Sequence, residues 1–498
     1  MSLKKEYGDF QTPLSLARRV MSLVQQLDTE VGTIVEPTCG IGAFLQAAVE
    51  AFGRSPHYLG FDVNPDYVEA AKAAVAPIGL PPSTVQQRDF YDTDWEVFLA
   101  KQPGPVLIVG NPPWITNAGM GVIKGTNLPT KCNFQGHSGL DAKTGKANFD
   151  ISEWMIMRLI QALQGSTGAI AMLCKTATAR KVLRHAWING LTLGPTSLHL
   201  IDAMAEFGVS VGACLLYTRV ESRSTEPTAT LYGSLSFDQP LRTFGLSNGE
   251  MVSDMDTYRQ LHDLDGKEFR KWRSGVKHDA AQVMEFTRDN GHLINGLGER
   301  CKLEDDYLYP LLKSSDLANS RLRPTRFVLL TQRQVGDSTE HIRNLAPKTW
   351  RYLLDHADQL DNRGSSIYTK RARFSIFGVG NYTFSAAKVA ISGLYKNLQF
   401  QAVGSSDGKP IVLDDTCYFI PCDSKQEAEF FARLLNSKTA RRFLSAIVFT
   451  DAKRPVTVDT LRRVDLKKLA EHEGMKTANI IYLSSKRDPK DEQGILFT

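Results

Sequence analysis

The sequence lacks the features that mark several whole classes of protein. No run of about 18 apolar residues occurs, so no membrane-spanning helix is encoded. The first residues, MSLKKEYGDFQTP, turn polar where a secretory leader would carry an apolar stretch, and the chain is expected to be neither exported nor inserted. The seven cysteines are odd in number and scattered, and the close pair Cys417 and Cys422 lacks the two-residue spacing of a zinc knuckle. A disulfide scaffold is thereby excluded, and a reduced, cytoplasmic protein is expected. None of the 10 histidines falls in an HExxH-type cluster, so no protein-bound catalytic metal is expected. Internal repeats and low-complexity tracts are missing too. Charge of one sign does not dominate: 59 Lys+Arg against 54 Asp+Glu leave +5, which permits a polyanionic partner without demanding one.

What is present is ordinary globular material. With 498 residues, 42% of them hydrophobic, the chain can fill at least two cores, and two or three domains are expected. Leu14, Ala17, Met21 and Val24 recur at helical spacing behind Thr12 and Pro13, which suit an N-cap and a first helical position. Apolar β-type segments then alternate with helical ones: Thr33–Val35 and a helix from Ala43, Tyr58–Phe61 and a helix from Pro65, then Val106–Val109. That alternation predicts a doubly wound, mostly parallel sheet. A Gly/Asn/Lys-rich stretch, 115–147, interrupts it before a helix over 151–163, with Asp150 and Glu153 spaced as a cap, and a strand over 169–174. Segments 197–201 and 211–218 are spaced for an antiparallel hairpin closing the sheet. The Ser/Thr-rich, charged segment 221–227 reads as a linker. Beyond it, short β-like runs at 327–331, 389–392 and 418–420 mix with helices, the clearest starting at Ser424 with Glu427 as capping partner, which predicts an α+β region.

Two motifs carry chemistry. VGTIVEPTCGIGAFL, residues 31–45, is a strand, an acidic residue, a turn containing Gly40 and Gly42, and a helix start. Glycines let backbone approach a ligand, and a helix N-terminus offers free N–H groups. Leu45 stands where a dinucleotide fingerprint would have its last glycine, and the same residues would also serve a plain strand-to-helix turn. Asp62, ending the next strand in LGFDVNP, is placed to accept both ribose hydroxyls of an adenosine-containing cofactor. Asp89 in QRDF is placed either for the adenine amino group or as a simple turn cap.

The second motif is Asn111-Pro112-Pro113-Trp114, directly after PVLIVG. A strand ending in two prolines cannot continue its ladder, so the chain turns out at the carboxyl edge, where open α/β sheets bind ligands. An exocyclic amine on a nucleobase is a poor nucleophile because its lone pair is delocalised into the ring. The Asn111 amide oxygen and the Pro112 carbonyl can hold the two N–H donors and turn the lone pair toward an incoming methyl group. Trp114 can stack on the base, or be a core residue of a turn. The prolines fix φ and so pre-set where that carbonyl points.

In these residues the sequence resembles the N6-adenine DNA methyltransferases of restriction–modification systems. GDFQTP resembles their leading cofactor motif, VEPTCGIGAF their glycine loop and NPPW their [Asn/Asp]-Pro-Pro-[Tyr/Phe/Trp] catalytic motif. Cofactor motif before catalytic motif, with the large extra region C-terminal, matches the gamma arrangement. The resemblance, over roughly residues 6–220, implies a Rossmann-like class I methyltransferase fold with S-adenosyl-L-methionine as cofactor. It implies cofactor-contacting roles for Phe10, Thr12, Glu36, Pro37, Thr38, Gly40, Asp62, Asp89 and Phe90, and a catalytic role for Asn111, Pro112, Pro113 and Trp114. Phe207, in AEFGVSVGACLLY, resembles a second aromatic that packs on the target base; a core phenylalanine of the hairpin is the alternative.

YPLLKSSDL from Tyr309, YTKRARFSIFGVGNYTFSAAKVAISGLYK from Tyr368 and LDDTCYFI from Leu413 resemble a TaqI-like C-terminal specificity domain, within which Asp414 and Asp415 are structural. The middle stretch interleaves Lys370, Arg371, Arg373, Lys388 and Lys396 with Phe374, Phe377, Tyr382 and Tyr395. Phosphate-binding cations beside packing aromatics suit a DNA groove, although a solvated strand face would look alike. The expected layout is a catalytic domain over 1–225, a connecting region over 226–295, a target-recognition domain over 296–470 and a charged tail over 471–498.

The resemblance implies an adenine-specific enzyme acting on double-stranded DNA, with any restriction endonuclease on a separate chain. N4-cytosine transfer is the near rival, but its family tendency is Ser at the first motif position, where Asn111 stands. RNA or protein-glutamine methyltransferases share NPP-type motifs but usually lack so large a C-terminal region. A non-catalytic DNA specificity module would have no use for the N-terminal motif set.

Overall fold

The computed structural model describes residues 11–27, 30–115 and 150–475, apart from the single positions 222, 224, 239, 267, 269 and 453. Phe10, most of the 115–147 stretch and the tail beyond 475 lie outside the described residues. The chain divides into two compact units, Met1–Asp256 and Thr257–Thr498.

In the first unit, α1 (Leu14–Leu27) buries Leu16, Ala17, Val20, Met21, Leu23 and Val24, the stripe that the helical spacing predicts. The elements that follow are β1 (Thr33–Glu36), α2 (Ala43–Phe52), β2 (His57–Asp62), α3 (Pro65–Val75), β3 (Val85–Gln87), α4 (Trp95–Leu99) and β4 (Val106–Gly110). After 116–149 come α5 (Ile151–Ala162), β5 (Gly168–Lys175), α6 (Thr176–Ile188), β6 (Leu193–Ile201), α7 (Ala203–Phe207) and β7 (Ala213–Val220). Strands β1 and β4 are buried at every residue, as continuous apolar runs in a doubly covered parallel sheet should be. Asp150 does cap α5, its carboxylate accepting from Ser152 N. For α6 the sequence marks no element, although Ala179, Val182, Leu183 and Ala186 follow helical spacing and are buried.

The sheet runs β3-β2-β1-β4-β5-β7-β6, parallel except for β7, which lies antiparallel between β5 and β6 as the closing hairpin. Strand β1 pairs in parallel with both β2 and β4, Thr33 sitting opposite His57 on one side and Val106 on the other. The chain therefore leaves β1 in one direction and returns in the other, which opens a crevice at the carboxyl ends of β1 and β4.

The expected boundary near 225 is corrected. Strands β8 (Thr228–Tyr232), β9 (Arg242–Ser247) and β10 (Glu250–Val252) continue the same sheet, β8 pairing in parallel with β6 through Ser197 and Thr230. The polar 221–227 segment is a loop within the first unit, and the unpaired edge of β6 recruits the strands that follow it.

The second unit holds two larger sheets. The first consists of β11 (Arg273–Ser274), β22 (Cys417–Cys422), β17 (Ala387–Ser392) and β18 (Gln401–Val403), in that order. The second runs from β14 (Arg300–Cys301) through β13 (His292–Asn295), β12 (Glu285–Asp289), β16 (Arg326–Leu329) and β15 (Leu308–Leu312) to β21 (Val412–Leu413). A small hairpin, β19 (Ser405–Ser406) with β20 (Lys409–Pro410), completes the set. Strands β12 and β13 lie inside 226–295, so that region is sheet rather than connector. The helix Lys425–Leu435 starts as predicted: Ser424 Oγ accepts from Glu427 N at 3.1 Å, and the Glu427 carboxylate accepts from Asp423 N at 2.6 Å. Asp414 is tied into a turn, accepting from Thr416 N and Oγ1.

Candidate functional site

The strand ends of the first unit converge on a cavity of about 400 Å³. Glu36 ends β1, Asp62 ends β2, Arg88 and Asp89 follow β3, and Asn111 follows β4, and all five line it. Thr12, Pro37, Thr38, Gly40, Phe90 and Pro113 line it as well, so every expected cofactor residue that is described reaches one space. The sequence reading misses Gln11, Tyr67, Tyr91 and Met155, which enter from loops and from α3 and α5.

The loop after β1 is shaped by its glycines. Gly40 (φ 48°) and Gly42 (φ 82°) adopt the left-handed region, and a Cβ on Gly42 would press on the Ala71 Cβ at 3.2 Å. Asp62 locks this loop to β2, one carboxylate oxygen accepting from Gly40 N and the other from Asn64 N, each at 2.9 Å. Asp62 thus anchors the glycine loop while lining the cavity. Gln11 holds the loop from the other side, its Oε1 accepting from Ile41 N at 3.1 Å. Asp89 accepts from Tyr91 N at 2.8 Å, and Phe90 packs on Trp95 with ring centroids 4.8 Å apart.

Glu36 is 2% exposed, and its Oε2 has no hydrogen-bond partner. Burial pushes its carboxyl well above the usual range and the Asp62 charge adds to this, while the Leu45 N–H opposes it. A buried oxygen without a partner, beside a second carboxylate in one cavity, calls for a donor or a cation from a ligand.

At the mouth of β4, the Asn111 Nδ2 donates to Thr12 Oγ1 at 3.2 Å, which sets the amide plane. Pro112 and Trp114 are buried. Trp114, 6% exposed, belongs to the hydrophobic core; its Nε1 donates to the Leu173 carbonyl at 3.3 Å, and its ring meets Phe207 edge-on at 5.2 Å and 72°. The two aromatics singled out from sequence thus touch edge-on.

In the second unit, Lys370, Arg371, Arg373 and Lys396 are exposed, with Arg373 held by Asp361 at 2.6 Å. Lys388 departs from the expectation. It is 1% exposed and donates to the Ser385 carbonyl at 2.8 Å, because β17 is buried at every residue and has no solvated face. Phe374 and Phe377 also point into the core, whereas Tyr395 is exposed. Among the described residues no group of three or more His, Cys, Asp or Glu is placed to hold a metal, and no helix is long and apolar enough to cross a membrane.

The strand order and the cavity at the carboxyl ends of β1 and β4 define a Rossmann-like α/β fold. The chain is 43% identical over 470 residues to the Type II methyltransferase M.NspV of Nostoc sp. (strain ATCC 29411 / PCC 7524), covering 94% of this chain and 98% of that relative. It belongs to the Type II methyltransferases, the DNA-modifying enzymes of restriction–modification systems. No family model matches. Among solved structures, the Type IIL restriction-modification enzyme MmeI in complex with DNA is similar at a TM-score of 0.48 and 12% identity, over 94% of this chain and 73% of that one. The type I methyltransferase subunit of Streptococcus thermophilus is similar at a TM-score of 0.32 and 15% identity, over 44% and 46%. A methyl donor must be bound, and the motif resemblance implies S-adenosyl-L-methionine. The residues present fit it: an unpartnered buried Glu36 oxygen, a glycine loop opening α2, and Asp62 at the β2 end line one cavity.

Proposed function

We propose that the protein methylates N6 of an adenine flipped out of duplex DNA, as the modification component of a restriction–modification system whose endonuclease is a separate chain. The observation that carries this reading is that Asn111 and Pro113 share one cavity with Glu36, Asp62 and Asp89. The acceptor corner and the cofactor residues thus face the same space. The bound cofactor supplies a methyl group on a positively charged sulfur, which departs neutral, and the methylated amine then gives up one proton to solvent.

Glu36 and Asp62 hold the polar parts of the cofactor, and Asp89 with Phe90 holds the adenine end. Asn111 Oδ1 and the Pro112 carbonyl accept the two N–H groups of the target amine and aim its lone pair, the prolines having removed the ordering cost beforehand. Phe207, partly exposed, walls the base, with Trp114 packed behind it. Flipping costs a few kcal/mol, which contacts elsewhere on the DNA must offset. We assign those contacts to the second unit, acting as a TaqI-like specificity domain, with exposed Lys370, Arg371 and Lys396 on phosphates. The motif order supports the gamma arrangement.

Plasmid incubated with methyl-labelled cofactor and digested to nucleosides should carry its label in N6-methyldeoxyadenosine. Label in N4-methyldeoxycytidine would move the acceptor to cytosine, and label only in RNA or protein would overturn the reading. Asn111→Ala should lower kcat about 10²–10³-fold, the scale of removing one transition-state hydrogen bond. Its cofactor affinity should stay close to wild type.

A further inference from the structure

The last residues of β5 hold the Asn-Pro-Pro-Trp corner from behind. The Leu173 carbonyl accepts from Trp114 Nε1, and two residues later the Lys175 Nζ donates to the Trp114 carbonyl at 2.8 Å. The same Nζ bonds Asp150 Oδ2 at 2.6 Å, while Asp150 Oδ1 accepts from Ser152 N and from the Ser152 hydroxyl at the start of α5. The backbone is joined at this level too, Ile151 N donating to the Ile115 carbonyl at 2.8 Å. One ammonium thus links the chain leaving the corner with the chain entering α5.

The ion pair is largely withdrawn from water, with side-chain exposures of 26% for Lys175 and 8% for Asp150. Such pairs are poor sources of net stability, because desolvation offsets much of the Coulomb gain. Position is the better explanation. The proline rings fix φ at residues 112 and 113 but leave ψ free, so the aim of the corner also depends on what holds Trp114 at its far end. Lys175 and Leu173 hold Trp114 at its carbonyl and its indole nitrogen. Asp150 balances the ammonium, so the hold adds no net charge beside the corner.

From this we infer that Lys175 is a positioning residue for methyl transfer, acting through the Trp114 carbonyl on the aim of the Pro112 carbonyl and the Asn111 amide. The inference rests on the reading of those two groups as acceptors of the target amine.

Lys175→Met should lower kcat about tenfold to a hundredfold, the scale of an ångström-level misplacement, with the dissociation constant for S-adenosylmethionine, measured by calorimetry, unchanged. Lys175→Arg, which keeps a donor and the ion pair, should recover part of the rate. Because Lys175→Met strands a buried carboxylate, the double variant Lys175→Met/Asp150→Asn removes both charges and tests the same point in a charge-neutral setting. It should also keep cofactor affinity and lower kcat. Wild-type kcat in either variant overturns the inference, and so does a fall in cofactor-binding stoichiometry in proportion to kcat, which marks an unfolded fraction. Failure of the acceptor reading would show separately, as wild-type protein that leaves DNA unlabelled.

Discussion

Desolvation of the Lys388 ammonium lowers its pKa from 10.5 to about 7, with Cys422 acting in the opposite direction. The folded state favours the neutral amine, so between about pH 7 and 10.5 the unfolded chain binds more protons and stability rises with pH. Below that window the full penalty is present. Lys388→Met should therefore stabilise the protein at pH 7, by about 1–3 kcal/mol, as when a buried charge is exchanged for an apolar residue of similar shape. In thermal melts the gain should shrink toward pH 10, and DNA affinity should be unchanged, since this lysine faces no solvent. Glu36, Asp62, Asp89 and Asn111 are legible in the sequence because each stands at or just past the end of a β-type segment, which in a parallel sheet means the ligand edge. Gln11, Tyr67 and Met155 are not, since they reach the cavity from separate loops and helices and no local pattern marks that arrival. The burial of Lys388 is hidden for a related reason: charge suggests a wet face on a strand that tertiary packing covers completely.

Among the elements, the β8–β10 extension shows where local composition misleads. Residues 221–227 have linker chemistry, yet a loop between two strands of one sheet needs the same polar, turn-forming residues. What the sequence does not display is that β6 would offer an open edge to a strand some 30 residues later. If these strands are integral to the first unit, Phe244→Ala should cost about 3–5 kcal/mol, because this β9 side chain is 2% exposed and meets Trp187 of α6 with ring centroids 6.3 Å apart. Denaturant titration would check this, and a destabilisation under about 1 kcal/mol, typical of a surface position, would return the segment to linker status. The α2 and α5 starts are readable from sequence because glycine turns and Asp caps act within a few residues.

For the whole molecule, the contrast between the two units has a simple physical origin. In the first, strand and helix alternate with regular period, and short crossovers dictate a parallel sheet. In the second, strands of two to six residues pair across long separations, as when β15 pairs with β21 about 100 residues on, and such pairings leave no periodic trace. Its expected role in gripping DNA is measurable through salt. Lys370→Gln/Arg371→Gln should reduce the slope of log affinity against log salt by about 2, near 0.9 for each phosphate left without its cation, with kcat at saturating DNA unchanged. An unaltered slope would place the DNA elsewhere.

The cavity draws its walls from the ends of four neighbouring strands and from helices on either side of residues 116–149, so it exists only where those strands are paired. Ligand occupancy is consequently linked to the native state alone, and at a hundredfold excess over its dissociation constant the cofactor should hold the fold by about 2.7 kcal/mol. A shortage of the methyl donor should then leave the enzyme easier to proteolyse as well as slower, so that scarcity would deplete the modifying activity twice over.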